Sequence, residues 1–117
     1  MFELVFDATR GTLRVPVVLP EVPAGSDMYR EFRQFIASRQ SEELPEHRRI
    51  DPTKAALKTG NARGNTSVTL TVLDGDFAYA TRAIIDVVHE VYLGFLYDGR
   101  YYDYLIETFN LDPDHVS

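Results

Sequence analysis

The chain has 117 residues, 44% of them hydrophobic and 26% charged, and a formal net charge of −6 at pH 7. This length and composition are typical of a single globular domain, residues 1–117, and exclude a disordered or fibrous chain. Cysteine is absent, which excludes disulfides, thiolate-ligated metals and thiol nucleophiles. No apolar stretch is long enough for a secretion signal or a membrane helix, so we expect a cytoplasmic protein without a membrane partner.

The charge is unevenly distributed along the chain. Residues 1–46 carry a net −3, residues 47–65 carry +4 and residues 66–117 carry −7. The acidic total disfavours nucleic acid, and the basic segment contains no Phe or Tyr to stack on bases, so we expect no nucleic-acid partner. The opposite charges favour docking of the basic segment on the acidic C-terminal half, within one chain or across a dimer.

The first twenty residues alternate between apolar and polar side chains. The alternation over residues 2–7 and 13–19 predicts two strands, and the turn residues 8–11 between them predict a β-hairpin. In the second strand we expect one inward face made by Leu13, Val15, Val17 and Leu19. Pro16 has no N–H to donate, so the second strand, or at least its far half, should lie at a sheet edge.

The next segment has the pattern of an amphipathic helix. Ser26 or Asp27 provides an N-cap. An apolar stripe follows at helical spacing, formed by Met28, Phe32, Phe35 and Ile36. We therefore expect this helix to cover the core from one side.

Residues 40–66 are the least regular part of the chain. Asp51 and Pro52 resemble an N-cap and first helical position, and Gly60 resembles a helix stop, which together predict a short helix. An irregular arm is the alternative. Residues 66–73 then alternate clearly between small polar and aliphatic side chains, which predicts a strand.

The C-terminal half is mainly helical by pattern. Residues 77–97 predict the longest helix, capped by Asp74 or Asp76 and so apolar that it must be covered on more than one side. A break at residues 98–99 precedes a last helix over residues 100–109, whose expected apolar face is Tyr102, Leu105, Ile106 and Phe109. The predicted fold is α+β: a small antiparallel sheet of three or more strands, covered on one face by helices in the order β-β-α-(irregular arm)-β-α-α.

One basic, glycine-rich segment is a candidate for ligand binding. In residues 58–65, the backbone of Gly60 and Gly64 would approach an anion closely, while Lys58 and Arg63 would add positive charge. Neither the phosphate-loop nor the dinucleotide glycine pattern is present. A simple glycine-rich loop leading into the next strand explains the same residues.

The long helix carries one stripe of titratable residues. His89 and Glu90 begin the zinc-protease pattern His-Glu-x-x-His, but Leu93 occupies the position of the second histidine. Asp86 lies on the same stripe, and we favour a solvated helix face with local ion pairs over an acid–base or metal site. We therefore predict no catalytic residue, no metal and no cofactor.

Aromatic residues are concentrated near the C-terminus. Seven of the fourteen lie within residues 92–109. Six form a candidate interface: Tyr92, Phe95, Tyr97, Tyr101, Tyr102 and Tyr104. The same residues would alternatively close the core where the last helix folds back. The leading functional hypothesis is a non-enzymatic interaction module, forming a homodimer or binding another protein. The alternative is a protein that binds a small anion or a nucleotide through residues 58–65, and this alternative includes enzymes.

Overall fold

The computed structural model describes residues 3–41, 50–97 and 101–109. In chain order the elements are β1 (Val5–Asp7), β2 (Thr12–Leu19), α1 (Asp27–Ser38), β3 (Ala55–Ala62), β4 (Asn65–Val72), α2 (Phe77–Glu90), a π-helical segment (Val91–Tyr97) and α3 (Tyr102–Phe109). The strands form one antiparallel sheet in the order β1-β2-β4-β3. The predicted α+β fold is therefore confirmed. The predicted break at residues 98–99 lies outside the described residues.

The N-terminal hairpin follows the alternation of its sequence. Val5–Asp7 pairs with Thr12–Arg14, so the predicted turn at residues 8–11 is confirmed. Gly11 has a φ of 64°, a left-handed conformation that glycine adopts without the steric cost of a side chain. Its carbonyl also accepts a hydrogen bond from the Val72 N–H at 2.8 Å, which ties the hairpin to β4.

A register shift divides β2 into two parts. Val15 pairs with Val68, and the next pair is Leu19 with Thr66, so the shift surrounds Pro16, which has no N–H for the ladder. It turns Val17 outward (41% exposed) and Val18 inward (0%), so the expectation that Val17 faces the core was wrong. β2 lies between β1 and β4. The ladder between β1 and β2 ends at Arg14. Only the half of β2 beyond Arg14 therefore lies at the sheet edge, as expected.

A strand replaces the short helix expected after Asp51, and that prediction was wrong. The Asp51 carboxylate accepts a hydrogen bond from the Thr53 N–H at 2.9 Å, and the Asp51 backbone carbonyl accepts one from the Ala55 N–H at 3.1 Å. Together these bonds complete a single turn. The chain then pairs with β4 along all eight residues of β3. The ladder and the burial of Ala55 outweigh the local preference for helix.

The helices cover one face of this sheet. Ser26 caps α1 by accepting the Tyr29 N–H at 3.2 Å, and Asp76 caps α2 by accepting the Tyr79 N–H at 3.0 Å. Phe32 on α1 is fully buried, and its ring meets the Phe95 ring edge to face at 5.6 Å. The core thus joins α1, the π-helical segment and the sheet.

The last helix has a different inward face from the one expected. Leu105 is 5% exposed, and of the four half-buried neighbours it is Tyr101 and Tyr104, and not Tyr102 and Ile106, that pack against the core. The inward face is therefore turned by about one residue from the predicted one, and the Tyr101 ring stacks on Phe95. The Phe109 side chain lies outside the described residues.

Candidate functional site

The sheet face opposite the helices is polar and carries aligned basic residues. Lys58 on β3 pairs with Thr69 on β4, and Thr69 pairs with Arg14 on β2, so these three residues form one row across the sheet. Since successive side chains of a strand point to opposite faces, this row lies opposite Leu13, Val68 and Leu70, which are at most 3% exposed. The same strands therefore supply both the core and this second surface, which we call the open face.

A groove of about 530 Å³ runs over the open face. Its lining combines cationic residues, hydroxyl groups and one carboxylate: Val5, Asp7, Arg10, Thr12, Arg14, Lys58, Thr59, Gly60, Ser67, Thr69 and Thr71. Sites for small ligands have volumes of roughly 300–1,000 Å³. The groove has a suitable size for a small molecule, and its polar lining suits a charged one.

Two of its cationic residues have no neutralising partner in the described part of the chain. Within the described residues no carboxylate lies within 4.0 Å of Lys58 or Arg14, and both side chains are exposed. Arg10, by contrast, lies 3.9 Å from Asp7, which also accepts the Thr9 N–H at 3.0 Å. The uncompensated positive charge of the groove therefore lies along the row of Lys58 and Arg14.

The groove floor is built from small residues. Gly60 pairs with Ser67 beside the basic row, and a Cβ at Gly60 would lie 2.8 Å from the Ser67 Oγ. Because glycine has no side chain, the groove is deeper at this position. Thr12 and Thr71 form the next row and place hydroxyl groups beside Arg14 and Thr69. Hydroxyl groups donate and accept hydrogen bonds, so the floor suits oxygen-rich ligands.

The structure divides the site that the sequence placed at residues 58–65. Lys58 and Gly60 line the groove, while Arg63 and Gly64 form the two-residue hairpin turn, with φ values of 56° and 86°. The Gly64 N–H donates to the Asn61 Oδ1 at 3.1 Å. The segment is therefore a β-hairpin. The backbone N–H of Gly64, which the predicted anion site would have needed, is already hydrogen-bonded within the turn.

Sequence reasoning did not identify Arg14 and Thr69 as possible site residues. Their alternation with buried aliphatic neighbours already places both on the polar face of their strands. What the sequence does not contain is the strand order that brings β2, β4 and β3 side by side. Only the pairing of these strands shows that Lys58, Thr69 and Arg14 form one row.

Most of the predicted aromatic interface faces the body of the protein. The Tyr92 hydroxyl donates to the Val18 carbonyl at 3.2 Å, Tyr104 donates to the Pro20 carbonyl and Tyr101 hydrogen-bonds Glu31. Burial raises the pKa of Tyr92, and chiefly burial raises that of Tyr104 to about 12. Phe95 is 8% exposed and stacks on Tyr101 at 5.0 Å.

A smaller apolar patch remains at the end of the π-helical segment. Tyr97 is 55% exposed and meets the half-buried Tyr102 edge to face at 5.4 Å, and Leu93 is 62% exposed. We call Leu93, Tyr97 and Tyr102 the tyrosine patch. It contains two of the six predicted interface residues, the exposed Tyr97 and the half-buried Tyr102.

The helical stripe with His89 does not converge on one point. Glu90 pairs with Arg39, the C-cap residue of α1, whereas Asp86 and His89 are exposed. Among the described ranges no three His, Asp or Glu side chains are grouped to hold a metal ion. No helix in these ranges combines the length and apolarity needed to cross a membrane.

No protein-family model matches the chain, and no curated protein and no solved structure matches it. The geometry of the open face therefore supplies the basis for a functional proposal.

Proposed function

We propose that this chain is a non-enzymatic binding module whose open face binds a small anionic ligand. The observation that supports it is the row of Lys58, Thr69 and Arg14, in which two cationic residues flank a hydroxyl group and have no carboxylate partner among the described residues. The proposal keeps Lys58 and Gly60 from the site expected at residues 58–65. Arg14, on another strand, replaces Arg63 as the second source of charge.

The chemistry of the row suits an oxyanion. An arginine guanidinium binds a carboxylate or phosphate through two parallel hydrogen bonds, and a lysine ammonium adds a mobile point charge. The Thr69 hydroxyl between them adds a neutral donor. Because the groove is open to water, we expect weak binding that is strongly reduced by salt.

The lining favours binding over catalysis. Its carboxylate within the described residues, Asp7, is engaged by the Thr9 and Arg10 N–H groups and by the Arg10 side chain. A general base needs a free oxygen directed at the substrate. Among the residues that the structure describes, the lining has no histidine that could act as an activating base for the hydroxyl groups of the floor.

An NMR titration with inorganic phosphate at low ionic strength tests the proposal. We expect shifts of the backbone amides of β2, β3 and β4 that saturate, that are weaker in Lys58→Gln and in Arg14→Gln, and that are lost when both substitutions are combined. Arg63→Gln is the matched control, because it removes the same charge at the hairpin turn, outside the groove. Unchanged binding in both groove variants, or loss only in Arg63→Gln, would reject the open face as the site.

The tyrosine patch supports a second candidate, self-association of the chain. Leu93 and Tyr97 are each more than half exposed and lie four positions apart in the π-helical segment, which is the type of surface that oligomer interfaces bury. Light scattering at low and high salt tests it: a salt-resistant dimer that becomes monomeric in Leu93→Ser with Tyr97→Ser is expected. A monomeric unmodified chain would exclude it. Truncation after Asp98 is a poor test, because it removes Leu105 from the core.

A further inference from the structure

We infer that the ligand of the open face carries two anionic groups joined by a short spacer, one bound by Arg14 and the other by Lys58. This inference rests on the proposed function and specifies its ligand class. It follows from the position of the two cationic residues on strands that are not neighbours, with the whole of β4 between them.

The separation of the two side chains is fixed by the sheet. Paired residues on adjacent antiparallel strands have Cα atoms about 5 Å apart, so the Cα atoms of Lys58 and Arg14, two strands apart, are separated by roughly 10 Å. Thr69 lies midway between them. Side chains that stand perpendicular to a sheet keep approximately this separation at their charged ends.

One small anion uses this arrangement poorly. To share it, both long side chains must lean inward over Thr69, which brings two positive charges together and restricts their rotamers. Two anionic groups let each side chain bind its own partner near its relaxed position. When these groups belong to one molecule, the second contact forms within the complex and at a high effective concentration.

The surroundings of the row limit where the ligand lies. Asp7 lines the groove on β1, and its negative charge disfavours an anionic group beyond Arg14 on that side. On the other side of the row Gly60 lines the groove without a side chain, which leaves room for a spacer. The ligand should therefore lie across the strands, from β3 to β2.

Titration with a graded series of anions tests this ligand class. The series consists of acetate, then the dicarboxylates from malonate to adipate, and bisphosphonates with the same spacers, all at one ionic strength. We expect an optimal spacer that binds about fivefold tighter than acetate beyond the statistical factor, given the contribution of one exposed ion pair. The relative affinity of the two series tells whether carboxylate or phosphate is preferred.

The variants separate failure of the inference from failure of the proposed function. Lys58→Gln and Arg14→Gln should each reduce the optimal dianion to the affinity of acetate, while Arg63→Gln should leave it unchanged. If acetate and phosphate bind through both residues and no dianion binds tighter, the two-anion inference is rejected and the anion site stands. If no member of either series binds in a way that depends on these residues, both are rejected.

Discussion

The two faces of the sheet differ completely although the same strands build them. On the helical face Leu13, Val68 and Leu70 are almost fully buried, and on the open face their direct neighbours in sequence are Arg14 and Thr69. Consecutive residues of a strand therefore contribute alternately to the core and to the open face. Stability should therefore depend on one set of positions and ligand binding on the other, and substitutions can separate the two.

The largest expected effect lies on the helical face. Phe32→Ala removes a fully buried ring that packs on Phe95, so we expect the free energy of unfolding to fall by about 3–5 kcal/mol. Chemical denaturation measures it. Under conditions in which the variant stays folded, its affinity for phosphate should be unchanged. A loss below about 1 kcal/mol would show that the core does not depend on this contact.

The turn between β3 and β4 should have an intermediate effect. Gly64 has a φ of 86°, so Gly64→Ala forces an L-residue into a left-handed conformation and should cost about 1–2 kcal/mol in the free energy of unfolding. Gly94→Ala is the matched control: its Cβ would make an ordinary contact with the Phe35 ring at 3.7 Å. We expect the control to be neutral or slightly stabilising. Equal losses in both variants would contradict the role of the turn.

The buried tyrosines predict a pH effect on the helical face. The pKa of Tyr104 is raised to about 12, chiefly by burial, so its stabilising contribution is present below pH 10 and is lost as the pH rises toward 12. Absorbance-monitored titration should show a tyrosine that ionises near pH 12, and Tyr104→Phe should remove this step. If Tyr104→Phe instead removes a step near pH 10, Tyr104 is exposed to water and its pKa is not raised.

The smallest effect on stability is expected at the centre of the open face. Thr69→Val keeps the shape and strand preference of the side chain but removes its hydroxyl, so the free energy of unfolding should change by less than about 0.5 kcal/mol. Affinity for the anion should fall roughly threefold, the effect of one hydrogen bond. If denaturation shows a large loss and binding none, the division of tasks between the faces is wrong.

Local patterns allowed most of the elements to be predicted from the sequence. The strands around Leu13 and Val68 and the helix containing Phe32 follow from alternation and from helical spacing, because one buried face leaves a periodic trace. β3 was missed because residues 55–58 are strong helix formers, and only pairing with β4 makes them a strand. The outward position of Val17 depends on a register shift that has no periodic trace.

The candidate site was predictable only in part. Lys58 attracted attention through its basic, glycine-rich surroundings, but its partner Arg14 is 44 positions away in the chain and is brought close by the strand order. The aromatic residues near the C-terminus were correctly seen to be unusual. Whether a ring such as Tyr104 faces the core or the solvent depends on how the last helix returns, and a single sequence does not encode that direction in any local pattern.

The strand order also has a consequence for the folding pathway. The ladders β1–β2 and β3–β4 each join residues that are close in sequence, and hairpins of this kind form within about 1–10 μs. The ladder between β2 and β4 is different, since it closes a long loop that contains α1 and β3. We expect the docking of two preformed hairpins, with α1 between them, to limit the folding rate. The row of Lys58, Thr69 and Arg14 is assembled only in that final step.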